Sequence, residues 1–251
     1  MNMQVEAGQC RLCPTVGPFV KSHIVPSAFV SALRPNGENA TVRMYPSDGR
    51  AKNVRTGVYG RFLCLACETR MQPWDEYGTE LFLYEPRTAQ GPDVLLIGGS
   101  PIDYQKLKFF VMSMMWRASA CEHKFFAGAS LNSLEDVYRQ RLRDFDPGEA
   151  IDPRVIIYKL RFPFGTVALP PCRYELGDTQ FVMIYFGEFV AYVQVAGGPL
   201  SVAAEEQVIR PSDERYGGLL RVPCRDLYDW ELAGIQHVAK ERANLQQRSQ
   251  K

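Results

Sequence analysis

The sequence predicts an α+β protein with a small N-terminal module, a helical middle and a small antiparallel C-terminal sheet that ends in a closing helix. Three observations predict this order. An N-terminal stretch rich in Gly, Pro and Arg carries two Cys-x-x-Cys pairs. Apolar residues then recur at helical spacing over 104–120. From residue 154 the pattern changes to β-branched and aromatic runs, which are typical of strands.

Composition and charge limit the classes of protein that fit. The chain has 251 residues, of which 46% are hydrophobic and 23% charged, so it can bury a sizeable core and is unlike a disordered chain. A formal net charge of +1 gives no overall attraction to nucleic acid, so such a partner needs a local basic patch. No segment has the roughly 18 consecutive apolar residues of a membrane span, and the start MNMQVEAGQCRLC does not resemble a signal peptide. We therefore expect a cytoplasmic protein with no membrane partner.

Secondary structure in the N-terminal module is predicted from apolar spacing and from Pro and Gly. A short helix is expected over 26–33, stopped by 35–37, and a strand or hairpin arm over 56–65. After Cys67 we expect a helix to Met71 and a second helix that begins at Pro73 and runs to about Tyr84.

Gly and Pro also mark a domain boundary. They cluster at Gly91-Pro92 and again at 98–101, which divides the chain into a zinc-binding module over 1–90 and a helical and β-rich domain over 101–251. In the second part we expect helices and strands at these positions: helices over 104–120, 133–145 and 228–247, and strands over 155–158, 181–186 and 189–193, the last two joined as a tight hairpin.

Four cysteines have the spacing of metal ligands. Cys10 and Cys13 form one Cys-x-x-Cys pair, and Cys64 and Cys67 form the other. Two thiolates in one tight turn can point at a single ion, and two such turns complete the tetrahedral four-cysteine shell of structural zinc. The alternative is two unrelated thiol pairs or a redox dithiol, which would not predict a second pair of equal spacing. Zinc in such a site contributes roughly 10 kcal/mol or more to folding.

The residues around these pairs resemble a nuclease family. Ser22-His23-Ile24-Val25-Pro26 lies between the pairs, and Leu63 and Glu68 flank the second one. This pattern is similar to zinc-stapled HNH proteins, also called ββα-metal nucleases, and more narrowly to a group of bacterial HNH-like proteins. The resemblance covers about residues 10 to 85. It implies a treble-clef zinc module.

The resemblance also implies catalytic roles. His23 would be the general base that deprotonates a water, and Glu68 would hold a catalytic Mg²⁺ or Mn²⁺ distinct from the zinc. Ser22 stands where the family has a metal ligand and is a poor ligand itself. The family's Asn corresponds to Asn39 or Asn53, and spacing does not choose between them.

One stretch is locally basic. It lies between the two halves of the zinc site, is interleaved with tyrosines, and could follow a phosphate backbone. A solvated loop is the alternative reading. The candidate contacts to nucleic acid are Arg43, Arg50, Lys52, Arg55 and Arg61.

These observations leave three functions open. The first is a metal-dependent DNA endonuclease, for which the resemblance suggests bacterial or phage defence. The second is a non-catalytic zinc module that binds nucleic acid, or a protein partner through the C-terminal domain. The third is a purely structural zinc fold within an assembly.

Overall fold

The computed structural model describes most of the chain, and the fold it gives is α+β, with helices and sheets in both the N-terminal and C-terminal halves. The described residues are 6–34, 41–44, 52–150, 152–161, 167–210, 218–233 and 235–236.

The N-terminal module consists of two strand pairs and a helix. Strands β1 (Ala7–Gln9) and β2 (Val16–Pro18) form an antiparallel pair. Strand β3 (Val20–His23) pairs antiparallel with β6 (Tyr59–Leu63), which lies within the predicted strand segment. Helix α2 (Leu65–Thr79) follows β6 directly. The first cysteine pair therefore lies between β1 and β2, and the second at the start of α2.

A short helix and a second small sheet lie between these strands in the sequence. Helix α1 (Ser27–Ala32) falls within the predicted helix and buries Phe29 and Val30. Strands β4 (Val42–Met44) and β5 (Lys52–Val54) are antiparallel. Strand β10 (Val167–Ala168) adds to β4 in parallel.

Helix α2 differs from the prediction. The expected break before Pro73 is wrong, since α2 runs through this proline and continues into a π-helical turn, Glu80–Tyr84. Proline inside a helix removes one hydrogen bond to the carbonyl four residues earlier, here Thr69. Both Thr69 and Pro73 are exposed, so water can satisfy that carbonyl and the helix persists.

The helical middle matches the prediction closely. Helix α3 (Tyr104–Ala120) begins at Asp103, whose side chain accepts a hydrogen bond from the Lys106 backbone N–H, and it is buried on most sides. A 3₁₀ turn (Lys124–Ala129) precedes helix α4 (Leu134–Asp144).

The large sheet has seven strands and is bigger than expected. The strands are β7 (Arg87–Ala89), β8 (Val94–Ile97), β9 (Val155–Leu160), β11 (Cys172–Leu176), β12 (Thr179–Phe186), β13 (Phe189–Ala196) and β14 (Leu220–Arg225). The sheet is antiparallel except for the parallel pair β9/β14, and its spatial order is β11-β12-β13-β9-β14-β8-β7. The predicted hairpin is confirmed as β12–β13, with Gly187 at a φ of +64° in its turn. Helix α5 (Val202–Glu205) precedes the last strand, β14.

The main hydrophobic core crosses the predicted boundary between 90 and 101. Phe82 of the π-helical turn lies 5.1 Å from Phe186 and 4.9 Å from Phe189 between ring centroids. Phe29 lies 5.3 Å from Phe186 and 5.8 Å from Phe110. Burying each such ring stabilises the fold by roughly 1.5–3 kcal/mol. These contacts join the zinc-side module to α3 and the sheet, and the division into two domains stays a prediction.

The predicted closing helix is seen in part. Residues 229–233 and 235–236 are helical, and the remainder of the predicted range to 247 lies outside the described residues. Across the described ranges, none of the helices combines the length and the apolar character needed to cross a bilayer.

Candidate metal centre and adjoining polar site

The four predicted zinc ligands converge. The Sγ atoms of Cys10, Cys13, Cys64 and Cys67 all lie within 4.8 Å of one another, and those of Cys13 and Cys64 are 3.7 Å apart. A tetrahedral Zn–S shell with bonds of about 2.3 Å has sulfur–sulfur edges of about 3.8 Å. The cluster is therefore compatible with a structural metal such as zinc.

Backbone hydrogen bonds hold the two turns that carry these thiols. The Cys10 N–H donates to the Thr15 carbonyl at 2.9 Å, which closes the first turn, and the Arg11 N–H donates to Phe62 at 3.0 Å, which fixes it against β6. The Cys64 N–H points at Cys10 Sγ from 3.4 Å. An amide directed at sulfur stabilises a thiolate, so the backbone already favours a charged ligand set.

The thiols themselves also favour a bound cation. Burial raises the pKa of Cys67, and the other three thiols add to this. Burial also raises the pKa of Cys64, where Cys13 and Cys10 add to the effect and Cys67 opposes it. Burial also acts to raise the pKa of Cys13, but hydrogen bonds with Thr15 and with the other thiols outweigh it and lower that pKa to about 6. Several thiolates this close repel one another, and a divalent cation removes that penalty. The donor set therefore fits zinc.

Next to this cluster lies a polar site made by Ser22, His23 and Glu68. Ser22 and His23 end β3, and Glu68 follows Cys67 in the first turn of α2. Ser22 Oγ, His23 Nε2 and Glu68 Oε2 are each buried and lack a hydrogen bond within the described part of the chain. The Ser22 hydroxyl nevertheless lies near enough to Glu68 to lower its pKa. Buried polar atoms without a partner are uncommon and indicate a site for a water, an ion or a substrate.

The environment shifts the pKa of both titratable groups toward the neutral form. Burial raises the pKa of Glu68, and Asp75 adds to this, while Ser22 and Arg117 oppose it. Burial also lowers the pKa of His23, as do Lys21 and Arg117. The imidazole is therefore neutral near pH 7 and able to accept a proton.

A buried ion pair supports this site. Arg117 of α3 has a fully buried side chain, and its guanidinium donates two hydrogen bonds to the Asp75 carboxylate at 2.5 and 2.7 Å. It also donates to the backbone carbonyl of His23 at 2.8 Å and of Ser113 at 3.2 Å. One side chain thus joins α2, α3 and the end of β3.

Sequence reasoning missed Asp75 and Arg117. Two signals point to them. Asp75 lies seven residues after Glu68, which places both carboxylates on one face of α2. Arg117 is the one charged residue in the apolar run 109–120 of α3, where a buried charge needs a partner.

The basic stretch is resolved in part, and its role in binding stays a prediction. Lys52, Arg55 and Arg61 are exposed, whereas Arg43 of β4 is half-buried. Arg50 lies outside the described residues, as does Asn39. The other candidate for the family's asparagine, Asn53, is exposed in β5, opposite Arg43 and in a different sheet from β3 and β6.

Comparison with models of protein families finds no match to the chain. Searches of curated proteins and of solved structures also give no match. The HNH resemblance thus depends on the residues of this chain alone.

Proposed function

We propose that this chain is an HNH-like, metal-dependent endonuclease that cleaves DNA phosphodiesters. The observation that carries the proposal is a group of three buried atoms, on Ser22, His23 and Glu68, that have no hydrogen-bond partner among the described residues and lie beside four clustered thiols. Two strands and a helix, β3, β6 and α2, hold these residues in the order of a ββα-metal unit. We infer that the fold of this module is a treble clef around zinc.

In this proposal zinc is structural. All four positions of a tetrahedral shell are taken by cysteine, which leaves none for a substrate or a water. The ion would fasten the β1–β2 turn to the start of α2, and so hold β3 against α2. The proposed catalytic residues, His23 on β3 and Glu68 on α2, would then be held at a fixed distance from each other without a large local hydrophobic core.

His23 is the general base of the proposed reaction. Its Nε2 has no hydrogen-bond partner in the described part of the chain, and the lowered pKa of the imidazole keeps that nitrogen able to take a proton from a water at neutral pH. The bond from Arg117 to the His23 carbonyl fixes the end of β3. This bond would orient the imidazole without consuming its nitrogen.

Glu68 and Ser22 would hold a divalent cation of the Mg²⁺ or Mn²⁺ type. Both present buried oxygen atoms without a hydrogen bond in the described chain, and oxygen donors suit hard cations. Such an ion, when bound, supplies positive charge that stabilises the scissile phosphate and the leaving oxygen. Arg117 favours the ionised form of Glu68, which an ion needs as its ligand.

A plasmid assay tests this proposal. Purified protein is incubated with supercoiled plasmid and Mg²⁺ or Mn²⁺, alongside His23→Ala, Glu68→Gln and the control Glu76→Gln, which removes an exposed carboxylate from the same helix. We expect metal-dependent nicking by the wild type and the control. Loss of a general base costs roughly 10²- to 10⁴-fold in rate. Equal nicking by all four proteins would refute the assigned roles.

A second candidate is a zinc module that binds nucleic acid or a protein partner without cleavage. Ser22 favours it, since a hydroxyl is a weak ligand, and the buried Arg117 cation places positive charge close to Glu68. Intact plasmid with every metal, together with a retained gel shift of DNA, would support this candidate over the nuclease.

A further inference from the structure

A groove lies beside the proposed catalytic site, between the β5–β6 segment and the 3₁₀ turn. Its volume is about 550 Å³, within the roughly 300–1,000 Å³ range of sites for small ligands. A second, apolar cavity of about 40 Å³ shares Val58 and Phe125 with the lining of this groove, and it is large enough for water but not for an aromatic ring. A ligand must therefore lie in the groove itself.

The mouth of this groove is suited to an anion. Lys52 and His123 both line it. Burial lowers the pKa of His123, and the charge of the nearby Lys52 lowers it further. His123 Nδ1 accepts a hydrogen bond from the Phe125 N–H at 3.1 Å, so the neutral imidazole carries its proton on Nε2. The one carboxylate of the lining residues, on Glu122, is paired with Arg11 at 3.0 Å. Lys52 and His123 thus offer an anion two hydrogen-bond donors. Among the described lining residues, the one carboxylate that could repel the anion is already paired.

Tyr59 connects the groove to His23. Tyr59 lines the groove and is 45% exposed, and its ring meets the His23 ring edge-on with 6.1 Å between centroids. Lys21 Nζ lies 4.2 Å from the centroid of the same ring. An exposed aromatic ring beside cationic groups is the arrangement on which unpaired bases stack.

We propose that this groove binds an unpaired nucleotide of a single-stranded nucleic acid, with its phosphate at Lys52 and His123 and its base against Tyr59. This inference rests on the proposed function, because it identifies the substrate of the same site as single-stranded. A duplex keeps its bases stacked inside the helix, so its bases cannot reach Tyr59 without being extruded.

Binding without cleavage tests this inference. Fluorescence anisotropy measures binding of the protein to a labelled oligothymidine and to the same strand annealed to oligoadenine. The buffer contains no Mg²⁺ or Mn²⁺. Tyr59→Ala and Tyr59→Phe test the stacking ring, and Tyr84→Ala is their control because Tyr84 is also an exposed tyrosine. Lys52→Gln tests the phosphate contact, and Lys106→Gln is its control at another exposed lysine. Thermal melting confirms that each variant is folded.

We expect the single strand to bind more tightly than the duplex. Tyr59→Ala should weaken single-strand binding about tenfold, the scale of one stacked base, while Tyr59→Phe retains it. Lys52→Gln should reduce the slope of log K against log salt by about 0.7, the value for one phosphate on a single strand. Both controls should bind like the wild type.

Three results would overturn the inference: duplex binding as tight as single-strand binding, equal effects of Tyr59→Ala and Tyr84→Ala, or full displacement by free thymidine monophosphate at matched nucleotide concentration. None of them depends on cleavage. A protein that binds as expected but leaves DNA intact would refute the nuclease and leave this groove assignment in place.

Discussion

Removing Asp75 is the sharpest test of the buried pair that supports the candidate site. Asp75→Ala leaves the guanidinium of Arg117, which has no exposed side-chain surface, without its counter-charge. Breaking a buried ion pair by deleting one partner costs about 3–5 kcal/mol. The Asp75 side chain is 20% exposed, and the carbonyls of His23 and Ser113 still accept from Arg117, so we expect the lower end, about 3 kcal/mol.

Thermal melting in the presence of zinc measures this effect. For a chain of this size about 1 kcal/mol shifts the midpoint by 2–4 °C, so Asp75→Ala should lower it by about 6–12 °C. Asp136→Ala breaks a surface pair with Arg139, in which the Asp136 side chain is 82% exposed, and it should cost at most about 1 kcal/mol. The double variant Asp75→Leu with Arg117→Met should recover much of the loss, because no charge stays buried. Equal shifts in Asp75→Ala and Asp136→Ala, or a double variant that melts no higher than Asp75→Ala, would refute this reasoning.

Three further predictions follow from single groups. Cys67→Ser should abolish the binding of one zinc per chain, which elemental analysis measures, and should lower the melting midpoint. Cys121→Ser removes a buried thiol outside the cluster and should keep the metal. The cleavage rate should rise with pH, with a midpoint below the ordinary histidine pKa of about 6.5, because burial lowers the pKa of His23 and the base acts in its neutral form. A rise centred above pH 7 would contradict this assignment. Lys108→Met should lower the free energy of unfolding by about 2 kcal/mol, measured with denaturant, because two backbone carbonyls lose a buried hydrogen-bond donor. Lys106→Met on the exposed face of the same helix should change the free energy of unfolding by less than about 0.5 kcal/mol, and equal losses would contradict the role of those bonds.

Local signals in the sequence predicted the elements that depend on local physics. Helix α3 lies at the predicted residues because its apolar periodicity is continuous and Asp103 caps its start. The β12–β13 hairpin was predictable because Gly187 supplies the positive φ that its two-residue turn needs. The four cysteines were predictable because their spacing encodes the turn geometry of a metal site.

Features that depend on distant contacts were not predictable in the same way. The order of the strands along the chain does not predict that β8 pairs with β14 and that β7 follows at the edge, because strand neighbours in a sheet are set by tertiary packing. The continuity of α2 through Pro73 depends on the exposure of one carbonyl, which is a property of the folded chain. The partner of Asp75 lies 42 residues away on α3, beyond any local pattern.

The Arg117–Asp75 pair also bears on which of the two functions is right. A lone buried guanidinium near Glu68 would repel a divalent cation and oppose catalysis. Asp75 binds that guanidinium with both carboxylate oxygens, so the pair together carries little net charge and repels a cation at Glu68 less than a lone guanidinium would. The burial that raises the pKa of Glu68 is opposed by Arg117, and a bound cation would favour the ionised form further. The same pair fixes the His23 carbonyl, and the His23 nitrogen Nε2 stays without a partner among the described residues. The buried pair is therefore compatible with a catalytic ion, and the weak ligand Ser22 is the stronger argument for a module that has lost cleavage.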